Sequence, residues 1–206
     1  QGSDIQKTNI TVRLASLGVK TFYEHDRENV SNCSVVVISS AIGQDNVELA
    51  FAKQLGVPIV SRAEMLAELM RMKLNIVVAG SHGKTTTTSL VASIAEVGNL
   101  DPTVINGGVI KAYGSNARLG EGEWMVVEAD ESDGSFNKLP ATVAIVTNID
   151  KEHLDYYSSF LNLKRAFERF ISSVPFYGVS ICCIDDKNVA IVISNVIVRN
   201  IITYGF

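Results

Sequence analysis

The sequence predicts an α/β protein, and three features lead to this expectation. Short apolar stretches typical of buried strands alternate with helical patterns along the chain. Polar residues follow several of these stretches directly, as at the carboxyl edge of a parallel sheet. Residues 75–91, NIVVAGSHGKTTTTSLV, join an apolar strand, a glycine-bracketed turn and a helix start. We therefore expect a Rossmann-like domain over residues 1–74 and a P-loop-type, mostly parallel-sheet domain over residues 75–206.

In the first domain, the alternation of predicted helices and strands is typical of a parallel sheet. Residues 1–4 are predicted as a turn, and the pattern then predicts a helix over 8–17 that ends at Gly18. Strands are expected over 19–23 and 35–39, the second buried on both faces because its centre is β-branched. A helix over 46–55 and a strand over 59–60 follow.

A helix over 62–73 precedes the glycine turn, and Leu66, Leu69 and Met70 form its predicted core stripe. This helix is either the last element of a first domain or a bridge within one continuous sheet. We place the boundary near Leu74, because a complete strand–turn–helix unit begins there.

Two loops of the first domain follow predicted strands and are candidates for ligand contacts. One contains His25, and the other comprises Ser39, Ser40, Ala41 and Ile42. From residue chemistry alone, an ordinary surface histidine is the favoured interpretation of His25.

The glycine turn and the helix start predict a phosphate site. Glycines let backbone N–H groups approach a phosphate, and a helix start adds unsatisfied donors and a positive dipole. Lys84 would contact the β- and γ-phosphates, and the Thr85 hydroxyl would be a hard ligand for Mg²⁺. Val78 replaces the first glycine of the usual motif, and an ordinary turn with a surface lysine is the alternative. The predicted nucleotide-binding residues here are Gly80, Ser81, His82, Gly83, Lys84, Thr85 and Thr86.

Two later strands end in chemically active residues. Glu128 follows a strand over 124–127, where a nucleotide's Mg²⁺ needs an anionic ligand. The other acids nearby, Asp130, Glu131 and Asp133, belong either to a metal site or to a solvated loop. His153 follows a strand over 142–146; a histidine near a helix start is more often a cap or a packed ring. Because parallel strands share one edge, we expect Lys84, Glu128 and His153 to meet.

The remaining elements carry weaker signals. Residues 106–108 and 114–118 read as glycine-rich loops that either approach a substrate or serve only as turns. A helix over 161–174 and a strand over 179–184 are expected after His153.

Composition excludes several classes of protein. The chain is 47% hydrophobic and 19% charged, which is typical of a globular protein. Its net charge of −4 gives no support for binding nucleic acid, and we expect no membrane partner, signal peptide or membrane span. The three cysteines lack metal-ligand spacing and predict reduced thiols in a cytoplasmic protein.

Together, these motifs resemble the Mur ligase family. The segments that carry the resemblance are AGSHGKTTTT at 79–88, EADESDGSF at 128–136, TNID at 147–150 and HLD at 153–155. The resemblance extends over nearly the whole chain. Ser81 stands where the family usually has threonine, which is a mild change.

The resemblance implies an ATP-dependent amide ligation. The member with the most similar motifs joins L-alanine to the carboxylate of UDP-N-acetylmuramate through an acyl phosphate. It implies ATP and Mg²⁺ as cofactors, with Thr85, Glu128 and His153 as metal ligands and Asn148 as a nucleotide contact. Lys84, Glu128 and His153 would be the catalytic residues. In the first domain, His25, Ser39, Ser40 and Ala41 become candidates for holding the UDP part of the substrate.

Family members have three domains, and the resemblance covers the first and part of the second. We therefore expect a fragment that is itself inactive, without the C-terminal domain that binds the amino acid. Three alternatives remain open: a murein tripeptide ligase, a non-catalytic nucleotide-binding module, and a P-loop hydrolase.

Overall fold

The computed structural model describes residues 1–39, 41–110, 113–197 and 200–206. The chain divides into two compact units, Gln1–Met65 and Leu66–Phe206. Both units combine helices and strands, as the sequence predicts. Among the described residues, no helix is both long enough and apolar enough to cross a bilayer.

The first unit contains two pairs of short parallel strands. The described elements are β1 (Gly2–Ser3), α1 (Asn9–Ser16), β2 (Thr21–Phe22), a 3-10 turn (Arg27–Val30), β3 (Val36–Ile38), α2 (Val47–Leu55) and β4 (Ile59–Ser61). Helix α1 begins after Thr8, whose hydroxyl caps it in a reciprocal capping box with Thr11. Helix α2 begins after Asn46 and ends at Gly56, which has a φ of +70°.

Three expectations for this unit need correction. The predicted turn at the start of the chain contains β1, because Gly2 and Ser3 pair with Thr21 and Phe22. The described strands form the separate pairs β1–β2 and β3–β4, not one continuous sheet, because no ladder joins β2 to β3. Strand β3 is also not buried on both faces, since Val37 is 44% exposed.

The described strands of the second unit are β5 (Leu74–Ala79), β6 (Thr103–Ile110), β7 (Ser115–Arg118), β8 (Trp124–Glu128), β9 (Val143–Val146), β10 (Val179–Cys183) and β11 (Ile201–Tyr204). These seven strands form one sheet in the order β11-β10-β9-β5-β8-β6-β7. Each neighbouring pair of these described strands is parallel except β6 with β7. The described helices of this unit are α4 (Lys84–Val97), α5 (Leu154–Tyr157), α6 (Phe160–Ser172) and α7 (Lys187–Ser194), with a 3-10 turn at Ser135–Lys138.

Helix α3 (Arg62–Met70) spans the division between the units and is shorter than predicted. The amide of Asn75 donates to the carbonyls of Met70 and Lys73, which satisfies backbone groups at the helix end. Met70 is fully buried and Leu66 is partly buried against the core, as expected of a core stripe. The expectation is wrong for Leu69, which is 44% exposed.

The core of the second unit lies between the central strands and helix α6. Val77, Val78 and Ala79 of β5 are fully buried, which places this strand at the centre. Phe136 packs at a tilt against Phe167 and Phe170, with ring centroids 5.1 and 5.3 Å apart. The large apolar face of α6 therefore closes one side of the sheet.

The glycine-rich residues 106–108 lie within β6, and 115–118 form β7, so these segments are strands and not loops. The two strands form an antiparallel pair with a register shift between Ile105 and Ile110. The ladder pairs Val104, Ile105 and Ile110 with β7, and residues 106–108 lie within the register shift, where the backbone stays extended despite the glycines.

Candidate functional site

The candidate site lies at the carboxyl edge of the sheet, beyond β5, β8 and β9. These three strands are neighbours, with β5 between β8 and β9. Their registers pair Val78 with Glu128 and Ala79 with Val146, so the strands end at about the same level. The residues after each strand are therefore brought together, as the sequence predicts.

The glycine turn is bonded firmly to the segment that follows β9. The Asn148 side chain accepts from the His82 N–H at 2.8 Å and donates to the His82 carbonyl at 2.9 Å. The Asp150 N–H donates to the Ser81 hydroxyl at 2.9 Å. A Cβ at Gly80, whose φ is +144°, would stand 2.1 Å from the Thr147 hydroxyl, so only glycine fits this approach.

Helix α4 opens directly from this turn. Its first i to i−4 bond joins the Thr87 N–H to the Gly83 carbonyl at 2.9 Å. The amides of Lys84, Thr85 and Thr86 precede that bond and have no carbonyl within the helix to accept from them. This helix start is suited to an anion.

Lys84 reaches back across the turn. Its ammonium donates to the carbonyls of Gly80 at 2.7 Å and Ser81 at 3.2 Å. It also pairs with the carboxylate of Glu131, whose two oxygens lie 2.9 and 2.8 Å away. The lysine is thereby held over the turn, with 15% of its side chain exposed.

Glu128 and Thr85 form a hydrogen-bonded pair of oxygen-bearing side chains. The Thr85 hydroxyl donates to Glu128 at 3.0 Å, and the Gly107 N–H donates to the other carboxylate oxygen at 2.7 Å. A Cβ at Gly107 would stand 2.8 Å from the Glu128 carboxylate, so the lack of a side chain at Gly107 leaves room for that carboxylate. Hydroxyl and carboxylate oxygens are hard donors, and this pair fits Mg²⁺.

His153 precedes α5 in a left-handed conformation, with a φ of +54°. Its Nε2 lies 3.5 Å from Glu131. One ligand atom each from Glu131, Glu152 and His153 lie within 4.8 Å of one another, which is compatible with a shared cation. Imidazole is a poor ligand for Mg²⁺, so the carboxylates are the stronger part of this set.

Glu131 links the lysine to the histidine, and sequence analysis did not single it out. The sequence shows four acids within residues 128–133 and no signal that distinguishes a buried one. The structure buries Glu131 and leaves Asp130 and Asp133 exposed. Burial raises the pKa of Asp130, but hydrogen bonds from Ser132 and the charges of Lys84 and His153 outweigh it, and the pKa is lowered overall.

The His82 side chain lies beside two acidic residues. Its Nε2 lies 3.5 Å from Asp150 and 3.8 Å from Glu152. The Lys151 N–H and then His82 lower the pKa of the Asp150 carboxyl. Within the described part of the chain, the Asn148 side chain bonds to the His82 backbone and to the Thr147 hydroxyl, and the Asn148 carbonyl accepts from the Ser81 N–H at 3.0 Å.

In the first unit, His25 is partly buried, with 22% of its side chain exposed, in a polar cluster around the buried Glu48, so it is not an ordinary exposed histidine. Its Nδ1 lies 3.1 Å from Glu48, which also accepts from Ser3 at 2.7 Å and Asn29 at 2.8 Å. Burial raises the pKa of Glu48, but these hydrogen bonds outweigh it and lower the pKa overall. Sequence analysis missed Glu48 because it reads as an ordinary residue of a helix first turn.

In the second predicted loop, hydrogen bonds join the described residues on either side of Ser40. The Ala41 N–H donates to the Ser39 hydroxyl at 3.3 Å, and the Ile42 N–H donates to the Ser39 carbonyl at 3.1 Å. Ser40 lies outside the described residues. Of the parts that are described, no hydrogen bond joins His25 to Ser39 or Ala41.

Two family models match the chain. The model of the Mur ligase family catalytic domain matches residues 1–74, and that of the Mur ligase middle domain matches residues 78–206.

Curated relatives match along the full chain. A UDP-N-acetylmuramate--L-alanine ligase of Roseobacter denitrificans is 58% identical, and one of Methylorubrum extorquens is 60% identical. Each match covers 100% of this chain and 44% of the relative. The chain thus spans less than half the length of these relatives.

Solved structures share the fold. The UDP-N-acetylmuramate-alanine ligase of Thermotoga maritima has a TM-score of 0.82 and 29% identity, over 93% of this chain and 44% of that one. The UDP-N-acetylmuramate:L-alanyl-gamma-D-glutamyl-meso-diaminopimelate ligase of Neisseria meningitides has a TM-score of 0.88 and 24% identity. That match covers 100% of this chain and 69% of the other. At 24% identity it shows a shared fold and nothing about function.

Proposed function

Because this chain belongs to the Mur ligase family, we propose that the protein carrying it is an ATP-dependent ligase. It joins L-alanine to the carboxylate of UDP-N-acetylmuramate, in the cytoplasmic synthesis of a peptidoglycan precursor. The observation that carries this proposal is the match of the whole chain, at 58 to 60% identity, to relatives with that name. The convergence of Lys84, Glu128 and His153 at one sheet edge supports it.

Residues 1–74 form a Rossmann-like domain that holds the UDP part of the substrate, and residues 75–206 form part of a P-loop-type ATP domain. The ranges of the two family models support this division. In the first domain, His25, Ser39, Ser40 and Ala41 contact the substrate. The cluster of His25 with Glu48 supports a fixed orientation of that imidazole.

ATP binds at the glycine turn. The amides at the start of α4 and the ammonium of Lys84 bind its β- and γ-phosphates, with Gly80, Ser81, His82 and Gly83 forming the turn. Asn148 acts at this site by holding the turn through its two bonds to the His82 backbone. Asn148 therefore acts on the nucleotide indirectly, because it orients the backbone of the turn that surrounds the phosphates.

Mg²⁺ is held by Thr85 and Glu128, with His153 contributing to a second ion. When bound, the metal neutralises charge on the phosphates. The donor set supports this assignment, because Thr85 and Glu128 present two hard oxygens 3.0 Å apart beside the lysine.

The reaction proceeds in two displacements. A carboxylate oxygen of the sugar attacks the γ-phosphorus while the bond to the β,γ-bridging oxygen breaks, which gives an acyl phosphate and ADP. The amine of L-alanine then attacks the acyl carbon, loses a proton and expels phosphate. The first step brings two anions together, so the fixed positive charge of Lys84 is what this chain contributes to it.

The test is Lys84→Ala in the full-length protein, assayed by chromatography of the UDP-sugar product. Loss of the fixed charge should reduce turnover by at least about a hundredfold. The matched control, Lys53→Ala, removes an exposed lysine of α2 and should behave as wild type.

Retention of more than about a tenth of wild-type turnover in Lys84→Ala would contradict the assignment of this lysine. Phosphate release by the wild type without any carboxylate acceptor would instead support a hydrolase. Ligation of a tripeptide in preference to L-alanine would identify a murein tripeptide ligase.

A further inference from the structure

Glu131 is a buried carboxylate at the candidate site. Its side chain is only 3% exposed, whereas Asp130 and Asp133 of the same loop are exposed. Removing a carboxylate from water is costly unless a positive group and hydrogen bonds compensate for it. The position of this side chain is therefore tied to its partners.

Lys84 is the partner that compensates this charge. The ammonium has three N–H groups, and its acceptors are the carbonyls of Gly80 and Ser81 and the carboxylate of Glu131. A phosphate that enters the turn has to share this ammonium with Glu131. The carboxylate thus competes with the nucleotide for the charge of the lysine.

The backbone of Glu131 is held as firmly as its side chain. Its carbonyl accepts from the Tyr157 hydroxyl at 2.5 Å and from the Gly134 N–H at 3.2 Å. The carboxylate also lies 3.5 Å from the imidazole of His153. One fixed group therefore contacts both the lysine and the histidine of the site.

From this geometry we infer that Glu131 is a positioning residue of the ligase reaction: it orients Lys84 and His153 for phosphoryl transfer and weakens ground-state nucleotide binding in doing so. This inference rests on the function proposed above. It predicts two effects of opposite sign when the charge is removed, namely tighter nucleotide binding and slower turnover. A purely structural role would not produce that combination.

The experiment compares Glu131→Gln and Glu131→Asp with wild type in the full-length protein. Glu131→Gln keeps the shape and removes the charge, while Glu131→Asp keeps the charge and shortens the side chain. The matched control is Asp133→Asn, which removes one exposed negative charge from the same loop. For each protein we measure the Kd for ATP by equilibrium titration, kcat per nucleotide-binding site, and KM for each substrate. The midpoint of thermal unfolding is measured as well.

For Glu131→Gln we expect the Kd for ATP to fall by about threefold or more. Its kcat should fall by about tenfold to a hundredfold, because Lys84 and His153 lose their orientation. The KM values for UDP-N-acetylmuramate and L-alanine should change by less than about threefold. Glu131→Asp should recover part of the lost kcat, and Asp133→Asn should match wild type throughout.

An unchanged Kd and kcat in Glu131→Gln would overturn the inference. So would a lower thermal midpoint with normal kcat per binding site, since that is the signature of a structural role alone. Equal changes in Kd and kcat in Asp133→Asn would show that the effect comes from the overall negative charge of the loop and not from Glu131, and would also overturn the inference. If the wild type makes no product, the proposed function fails, and the ATP titration still tests the competition between Glu131 and nucleotide.

Discussion

Two buried carboxylates, Glu48 and Glu131, show how single residues are held in this chain. Among the described residues they are the buried acids, at 7% and 2% exposure. Each has polar partners that compensate for its burial. Glu131 pairs with the ammonium of Lys84, and Glu48 contacts Ser3, Asn29 and His25. A buried carboxylate persists only with such partners, so both positions are sensitive to the loss of charge.

The lowered pKa of Glu48 makes the folded state sensitive to acid. Because the folded pKa lies below the ordinary value of 4.5, the unfolded state takes up the proton first as the pH falls. The stabilisation by Glu48 is thus present above about pH 4.5 and is lost below it. Glu48→Gln should be less stable than wild type at neutral pH and should lose less stability on acidification.

Urea unfolding of the chain at several pH values between about 7 and 3 measures this difference. The control is Glu28→Gln, which removes an exposed carboxylate and should keep the wild-type pH dependence. Parallel stability curves for Glu48→Gln and wild type would show that Glu48 contributes no such linkage.

At the scale of elements, the ends of β5 and β8 and the middle of β6 build the site together. The Gly107 N–H of β6 donates to the carboxylate of Glu128 at the end of β8. That carboxylate accepts from Thr85, which follows β5 through the glycine turn and opens α4. A glycine inside a strand here marks the close approach of a carboxylate to a backbone.

Gly107→Ala tests this packing. The added Cβ would stand 2.8 Å from Glu128, so the flexible carboxylate has to move away from Thr85. We expect turnover in the full-length protein to fall by about tenfold to a hundredfold and the Mg²⁺ requirement to rise. The free energy of unfolding should change by less than about 1 kcal/mol, because a side-chain end can shift cheaply.

Mg²⁺ titrations of activity and urea unfolding separate these effects. Gly2→Ala is the control, because its Cβ would meet nothing within 4 Å. A normal Mg²⁺ dependence in Gly107→Ala would mean that Glu128 can move without consequence for the site.

At the scale of the whole molecule, one large cluster of buried residues stabilises the second unit. It includes strand residues on the α6 side of the sheet together with Phe136, Phe167 and Phe170. Phe136 lies in the 3-10 turn a few residues after Glu131, so the aromatic cluster anchors the acidic loop to the core. Packing in the core and geometry at the site are linked through this loop.

Phe136→Ala should destabilise the chain by about 3 to 5 kcal/mol, because a fully buried ring is replaced by a cavity. The matched control, Phe176→Ala, removes a ring that is 87% exposed and should change stability by less than about 0.5 kcal/mol. Urea unfolding of both variants provides the measurement. Similar losses in the two would contradict the placement of Phe136 in the core.

The sequence by itself determined the α/β class, the order of most helices and strands, and the candidate residues Lys84, Glu128 and His153. Local patterns suffice for this, because apolar periodicity specifies an element and parallel strands share one carboxyl edge. The signals were weakest for elements of two or three residues such as β1, and for 106–108, where the glycines predict a loop but the backbone continues strand β6.

Only the tertiary structure decided which acid of the loop is buried and what it contacts. Glu131 pairs with Lys84, which lies 47 positions away along the chain, and its carbonyl accepts from Tyr157. His25 likewise acquires its role through Glu48 and Ser3. The desolvation of a charged group depends on the residues packed around it. Many of these residues are distant along the sequence and come close only when the chain has folded.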